Sequence, residues 1–310
     1  MKRSLSAATL AFAVFASTAS AGSPTSWPVS YRSLDINGVS IAYRESGPQD
    51  APVMILLHGF PSSSHMFRDL IPELAASYHV IAPDYPGFGQ SAAPQAQSYG
   101  YDFATLAETM NAFIEGLGLA DYTLYMQDYG GPVGMRLAVS HPERIAGLVF
   151  QNATVHVEGW SSDVAAQFAP FWAERTPETE SPIRGFLTPE TTRWQYEQGS
   201  TQPDRLSPDA WVSDQAGLDR PGNDAIQLDY LWNYRDNVAS YPAWQTYLAS
   251  KQPKTLIVWG ANDPFFTMDA VTGLQALLPD AQTRIFDAGH FALETHAPEI
   301  GAAIRDVFAN

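Results

Sequence analysis

The stretch YMQDYGG, Tyr125 to Gly131, ends an apolar run with an acidic side chain and follows it with two glycines. A strand that turns sharply into a helix pushes the residue at the apex out of the sheet, and a small residue after it lets helix and strand approach. Here the apex residue is Asp128. A hydroxyl at such an apex must lose its proton to a base before attacking, whereas a carboxylate, with a pKa of about 4, is already charged at neutral pH. It suits attack on a saturated carbon bearing a leaving group. Two further chemistry-bearing residues stand where later apolar runs end: Asp263 after TLIVWGAN and His290 after RIFDAG. Along the chain they give the order nucleophile, acid, histidine. The turn HGFP, His58 to Pro61, follows the first long apolar run, and its backbone amides join that of Tyr129 as candidate donors to an oxyanion.

These residues need a scaffold that gathers strand ends. In YRSLDINGVSIAYRE two alternating runs meet at Asn37-Gly38, the pair that a tight type I′ hairpin requires. Beyond it the chain alternates short continuous apolar runs with stretches of helical period, which predicts a mostly parallel sheet covered by helices on both faces. The runs are residues 53–59, 78–84, 122–128, 145–152, 254–263 and 282–290, and the helical stretches 66–77, 101–119, 268–278 and 296–308. Ligands bind outside the carboxyl ends of such strands, where the polar residues collect. One gap, from Thr154 to about Lys251, is too long for a loop. It holds six of the eight tryptophans and reads as an inserted, mostly helical cap. The expected organisation is an exported leader over 1–21, core segments over 22–153 and 252–310, and the cap over 154–251.

The leader rests on Lys2 and Arg3, an apolar run, and Ala19-Ser20-Ala21 as a small-residue cleavage site. The apolar stretch is well short of the roughly 20 residues that span a bilayer. Export, to the periplasm or the medium, is therefore expected. There is no cysteine, so stability comes from the core, which 310 residues at 45% hydrophobic content can supply. Beyond residue 21 the chain carries 15 Lys and Arg against 33 Asp and Glu. Such a surface repels nucleic acid and anionic lipid. Neither is expected as a partner.

The motifs HGFP (58–61), PGFGQS (86–91), QDYGG (127–131), GANDPFF (260–266) and AGHFALE (288–294), in that order, resemble the α/β-hydrolase superfamily. Within it they resemble the branch of epoxide hydrolases and haloalkane dehalogenases, over nearly all of the chain beyond the leader. The resemblance implies an α/β-hydrolase fold and a cofactor-free hydrolase. Asp128 forms an alkyl ester, His290 oriented by Asp263 activates water against it, and the amides of Phe60 and Tyr129 hold the oxyanion. The stretch NYRDN (233–237) resembles the epoxide-hydrolase cap segment whose tyrosine protonates the ring oxygen, which gives Tyr234 the role of acid. Phe60 points the same way. In dehalogenases a tryptophan commonly follows the nucleophile, where Tyr129 stands. A second cap tyrosine is usual in epoxide hydrolases, and Tyr196 is the candidate.

Each residue also has a structural reading. Asp128 and Asp263 are also plausible turn aspartates, and His290 a buried structural histidine. His58 reads as a brace for the oxyanion turn. PGFGQS lacks the third glycine of a dinucleotide site and reads as a tight turn. The histidines show no metal-ligand spacing. The aromatic cap suits a small apolar or aromatic substrate, with Trp172, Asn152 and Tyr196 as candidate contacts. Epoxide hydrolysis is the expected activity and dehalogenation the alternative, with Tyr129, Trp172 or Asn152 near the halide. A non-catalytic binding protein and an esterase are further readings.

Overall fold

A computed structural model describes residues 27–308, so the expected leader lies outside the described residues. Eight strands form one sheet: β1 (Ser30–Ile36), β2 (Val39–Ser46), β3 (Val53–Leu57), β4 (His79–Pro83), β5 (Tyr122–Gln127), β6 (Ile145–Gln151), β7 (Thr255–Gly260) and β8 (Gln282–Phe286). Their spatial order is β1-β2-β4-β3-β5-β6-β7-β8. β1 and β2 are the expected hairpin, with Ile36 opposite Val39 and both Asn37 and Gly38 at positive φ. β2 pairs antiparallel with β4, and every later pairing is parallel.

The central strands are apolar almost throughout because helices cover both faces. Ile55 and Leu57 of β3 and Leu124 and Met126 of β5 join one core cluster, while Met54, Leu56 and Tyr125 join the other. This is the two-residue period of a strand sorting side chains to opposite faces. The core helices are α1 (Leu70–Leu74), α2 (Phe103–Gly116) and α3 (Gly130–Ser140), with two more after the cap. The helix expected over 66–77 is shorter: only α1 is α-helical, after a 3₁₀ turn at Ser64–Phe67 that Ser63 caps through the His65 amide.

Between β6 and β7 lie five helices, α4 (Ser162–Ala173), α5 (Pro177–Ile183), α6 (Pro189–Glu197), α7 (Pro208–Leu218) and α8 (Asn223–Lys251). These are the inserted cap. α8 is 29 residues long, and Tyr230, Tyr234, Tyr241 and Trp244 are buried along it. α9 (Met268–Leu277) and α10 (Leu293–Phe308) complete the chain. The last apolar run behaves differently from the others. β8 is an edge strand with a neighbour on one side only, and its Ile285 is 44% exposed. Among the described residues no helix is long and apolar enough to cross a membrane.

Candidate active site

Three strand ends converge under the cap. After β5, Asp128 turns the chain with φ of 48°, a left-handed conformation that a non-glycine residue adopts only where its surroundings hold it. Its N–H donates to the Asn152 carbonyl at 3.3 Å, and its carbonyl accepts from Gly131 N at 2.9 Å. α3 begins at once, so close to β3 that a Cβ on Gly130 would lie 2.2 Å from the Leu57 carbonyl oxygen. Only glycine fits there.

Phe60 N donates to Asp128 Oδ1 at 2.7 Å. One of the two expected oxyanion donors therefore already holds the aspartate, and the Tyr129 amide lies close enough to lower its pKa. Burial nevertheless dominates and pushes the Asp128 carboxyl up to about 6, against the lowering effects of His290 and the two amides. His58 is wholly buried: its Nδ1–H donates to the Gly59 carbonyl at 3.0 Å and its Nε2 accepts from Tyr85 N at 3.1 Å. Desolvation lowers its pKa to about 4, so it braces the turn as a neutral ring.

On the other side of Asp128, His290 Nδ1–H donates to Asp263 Oδ2 at 2.8 Å. Asp263 Oδ1 accepts from Phe265 N at 2.7 Å. Burial alone would lower the imidazole pKa, but the carboxylates of Asp263 and Asp128 outweigh it and hold His290 above its ordinary value. Gln127 Nε2–H donates to His290 Nε2 at 2.9 Å, which keeps the proton on Nδ1. Residue spacing alone assigned Gln127 no role. A glutamine at the end of an otherwise apolar strand was the signal that could have found it.

Asp128, His290, Phe60, Tyr129, Trp172 and Tyr234 all line one cavity between sheet and cap. The rest of its wall is mainly aromatic, from Trp160, Phe168, Phe186, Phe265 and Phe266. The hydroxyls of Tyr234 and Tyr129 are buried and without a hydrogen-bond partner. Burial first, and then Tyr241 and the Asp128 carboxylate, hold the Tyr234 phenol well above 10. It keeps its proton at any ordinary pH. The two indole N–H groups near it are already used: Trp160 donates to Tyr241 Oη at 3.1 Å and Trp172 to the Leu231 carbonyl at 2.9 Å.

Two expected substrate contacts are not in the cavity. Asn152 is fully buried and donates to Asp263 Oδ2 at 2.8 Å and to the Gly260 carbonyl at 3.2 Å. It holds Asp263 and does not line the cavity. Tyr196 stacks on Phe291 at 4.0 Å and donates to Asp214 Oδ2 at 2.5 Å. The helix α6 turns its neighbour Gln195 into the cavity instead. Among the described residues no group of three or more His, Asp or Glu side chains is placed to hold a metal ion.

Chemically, the arrangement presents a carboxylate with one oxygen bound by the Phe60 amide, a histidine–aspartate pair beside it, and a protonated phenol in the same apolar space. Comparison with known proteins agrees with the fold. Residues 52–297 match the family described as alpha/beta hydrolase fold. An uncharacterized hydrolase of Saccharomyces cerevisiae, YNR064C, is 36% identical over 276 residues, covering 88% of this chain and 94% of its own. A haloalkane dehalogenase of Bradyrhizobium diazoefficiens is 39% identical over 132 residues, 43% of this chain and 42% of its own. The solved structure of the epoxide hydrolase CorEH superimposes with a TM-score of 0.73 at 20% identity, over 91% of this chain and 99% of that one. The chain thus belongs to the alpha/beta hydrolase fold family and is a hydrolase.

Proposed function

We propose that this protein is an exported epoxide hydrolase that works through an alkyl ester on Asp128. With Oδ1 held by the Phe60 amide, Oδ2 attacks an epoxide carbon. The carbon–oxygen bond breaks, and its electron pair stays on the ring oxygen, which takes the proton of Tyr234. Water then adds to the ester carbonyl carbon and gives its proton to His290 Nε2, displacing the Gln127 N–H that rests there, while the charge forms on Oδ1 at the Phe60 amide, with the Tyr129 amide as second donor. Collapse releases the diol and restores Asp128, and the proton on His290 returns to Tyr234. Export rests on Lys2, Arg3, the apolar run and Ala19-Ser20-Ala21.

The observation that carries the choice of leaving group is the unpartnered Tyr234 hydroxyl in the cavity that Asp128 lines. An opened epoxide leaves an alkoxide, which needs a proton, and a phenol can give one. A halide needs only N–H or O–H donors. Both nearby indole N–H groups are spent on the protein, so the donors left to a halide are the Tyr234 and Tyr129 hydroxyls and the Gln195 amide. The epoxide reading rests on Tyr234 as a source of a proton. The second reading, carbon–halide hydrolysis by the same carboxylate, is favoured by the relatives that carry that name.

Incubation with a panel of epoxides and a panel of haloalkanes separates the two, reading diol against released halide. A single turnover in ¹⁸O-labelled water is expected to label the Asp128 carboxylate and leave the first diol unlabelled. Label appearing directly in the diol, or no adduct on Asp128 in His290→Ala with any candidate, sinks the covalent mechanism.

A further inference from the structure

The reaction accounts for Asp128, His290 and Tyr234, but two more side chains with an unpartnered polar atom line the cavity, Tyr129 next to Asp128 in the chain and Gln195 on the cap. Gln195 on α6 is 2% exposed, and its Nε2 is buried without a hydrogen-bond partner. Around the cavity stand Phe168, Phe186 and Phe265, none of which offers an acceptor. An amide N–H left unpaired in such surroundings is destabilising, whereas a leucine would fill similar space without that cost. Trp160 and Trp172 have protein acceptors for their N–H groups. Gln195 has none, so its donor is free for a bound molecule.

We infer that Gln195 recognises an uncharged, hydrogen-bond-accepting oxygen on the part of the substrate that does not react. The preferred substrate is then an aryl or alkyl epoxide that carries an ether or carbonyl oxygen, and a pure hydrocarbon epoxide is the poorer one. The acceptor is neutral because the cavity lining contains no lysine or arginine to balance an anion. The inference rests on the epoxide reading for the reacting end only.

The test compares phenyl glycidyl ether with its carbon analogue, in which CH₂ replaces the ether oxygen, in wild type, Gln195→Leu and Gln195→Met. Wild type is expected to favour the ether about tenfold or more in kcat/KM, and both variants to lose that preference while still turning over the carbon analogue. Turnover of the analogue doubles as the check on folding. An equal change for both substrates in either variant, or a wild type without preference, overturns the inference. If wild type opens neither epoxide, the proposed function fails. Recognition is then read from binding of phenyl propyl ether against butylbenzene, by quenching of tryptophan fluorescence. Tighter binding of the ether, lost in both variants, upholds the role of Gln195 without any chemistry, and equal binding ends it.

Discussion

Asn152 and His290 donate to the same oxygen of Asp263, Oδ2, each at 2.8 Å. The carboxylate is thereby pinned from behind while it orients the imidazole in front. Asn152 has φ of 44°, which glycine tolerates, so Asn152→Gly removes the side-chain donor without straining the backbone. A lost hydrogen bond to a charged group is worth about 1.5–3 kcal/mol, or roughly 10- to 100-fold. Ester hydrolysis is expected to slow by that factor while ester formation is spared. Mass spectrometry of quenched steady-state reactions should therefore find Asp128 largely alkylated in the variant. An unalkylated variant with normal kcat would refute the pinning.

Gly59 lies under Asp128. A Cβ there would stand 2.3 Å from Asp128 Cβ and 2.5 Å from both Asp128 Oδ1 and Gln127 Oε1. Gly59→Ala must displace the carboxylate from the Phe60 amide, so kcat/KM is expected to fall at least about 100-fold. Near-normal kinetics in Gly59→Ala would show that Asp128 has more room than its contacts allow.

The pH profile follows from two groups on its acid side. Asp128, held up to about 6 by burial, must be ionised to attack. His290, held above its ordinary value, must be neutral to take a proton from water. Activity should rise with pH through about 6 and beyond as both protons leave. In the proposed reaction Tyr234 is the acid, and it keeps its proton because its pKa is well above 10. No alkaline decline from this residue is expected below that pH. A bell with its alkaline limb near 8, in both kcat and kcat/KM, would remove Tyr234 as the donor.

Stability has its own pH dependence outside the cavity. Asp214 is buried, and burial pushes its carboxyl up to about 7 despite hydrogen bonds from Tyr196 and Ser62, with Glu294 adding to the rise and Arg68 opposing it. The folded state binds this proton more tightly than the unfolded chain does. Folding stability from this residue is therefore lost progressively as pH rises from about 4 to about 7, and the loss is complete above that. Asp214→Asn cannot ionise and still accepts from Tyr196. It is expected to raise stability by on the order of 2–4 kcal/mol at pH 8.5 and by far less at pH 5, as melting curves at the two pH values would record. An equal effect at both would mean that Asp214 is already ionised in the folded protein.

The fold and the residues that meet beneath the cap were legible in the order of the residues, for reasons local to the chain. A strand's period, the glycine after an apex, and polar residues at the ends of apolar runs are short-range signals, and they led to β5, Asp128, Asp263, His290 and the Phe60 turn. The type I′ hairpin at Asn37-Gly38 was equally local, since two positive φ angles demand those residues. What the amino-acid order did not settle is which face of a cap helix meets the cavity. Tyr196 and Gln195 are neighbours on α6, and about 100° of helical rotation separates a residue stacked on Phe291 from one lining the cavity. That rotation is set by how α6 docks on Asp214 and Phe291, contacts made with segments far along the chain. The same holds for Asn152, whose polar side chain at a strand end faces Asp263 only because β6 and β7 lie side by side.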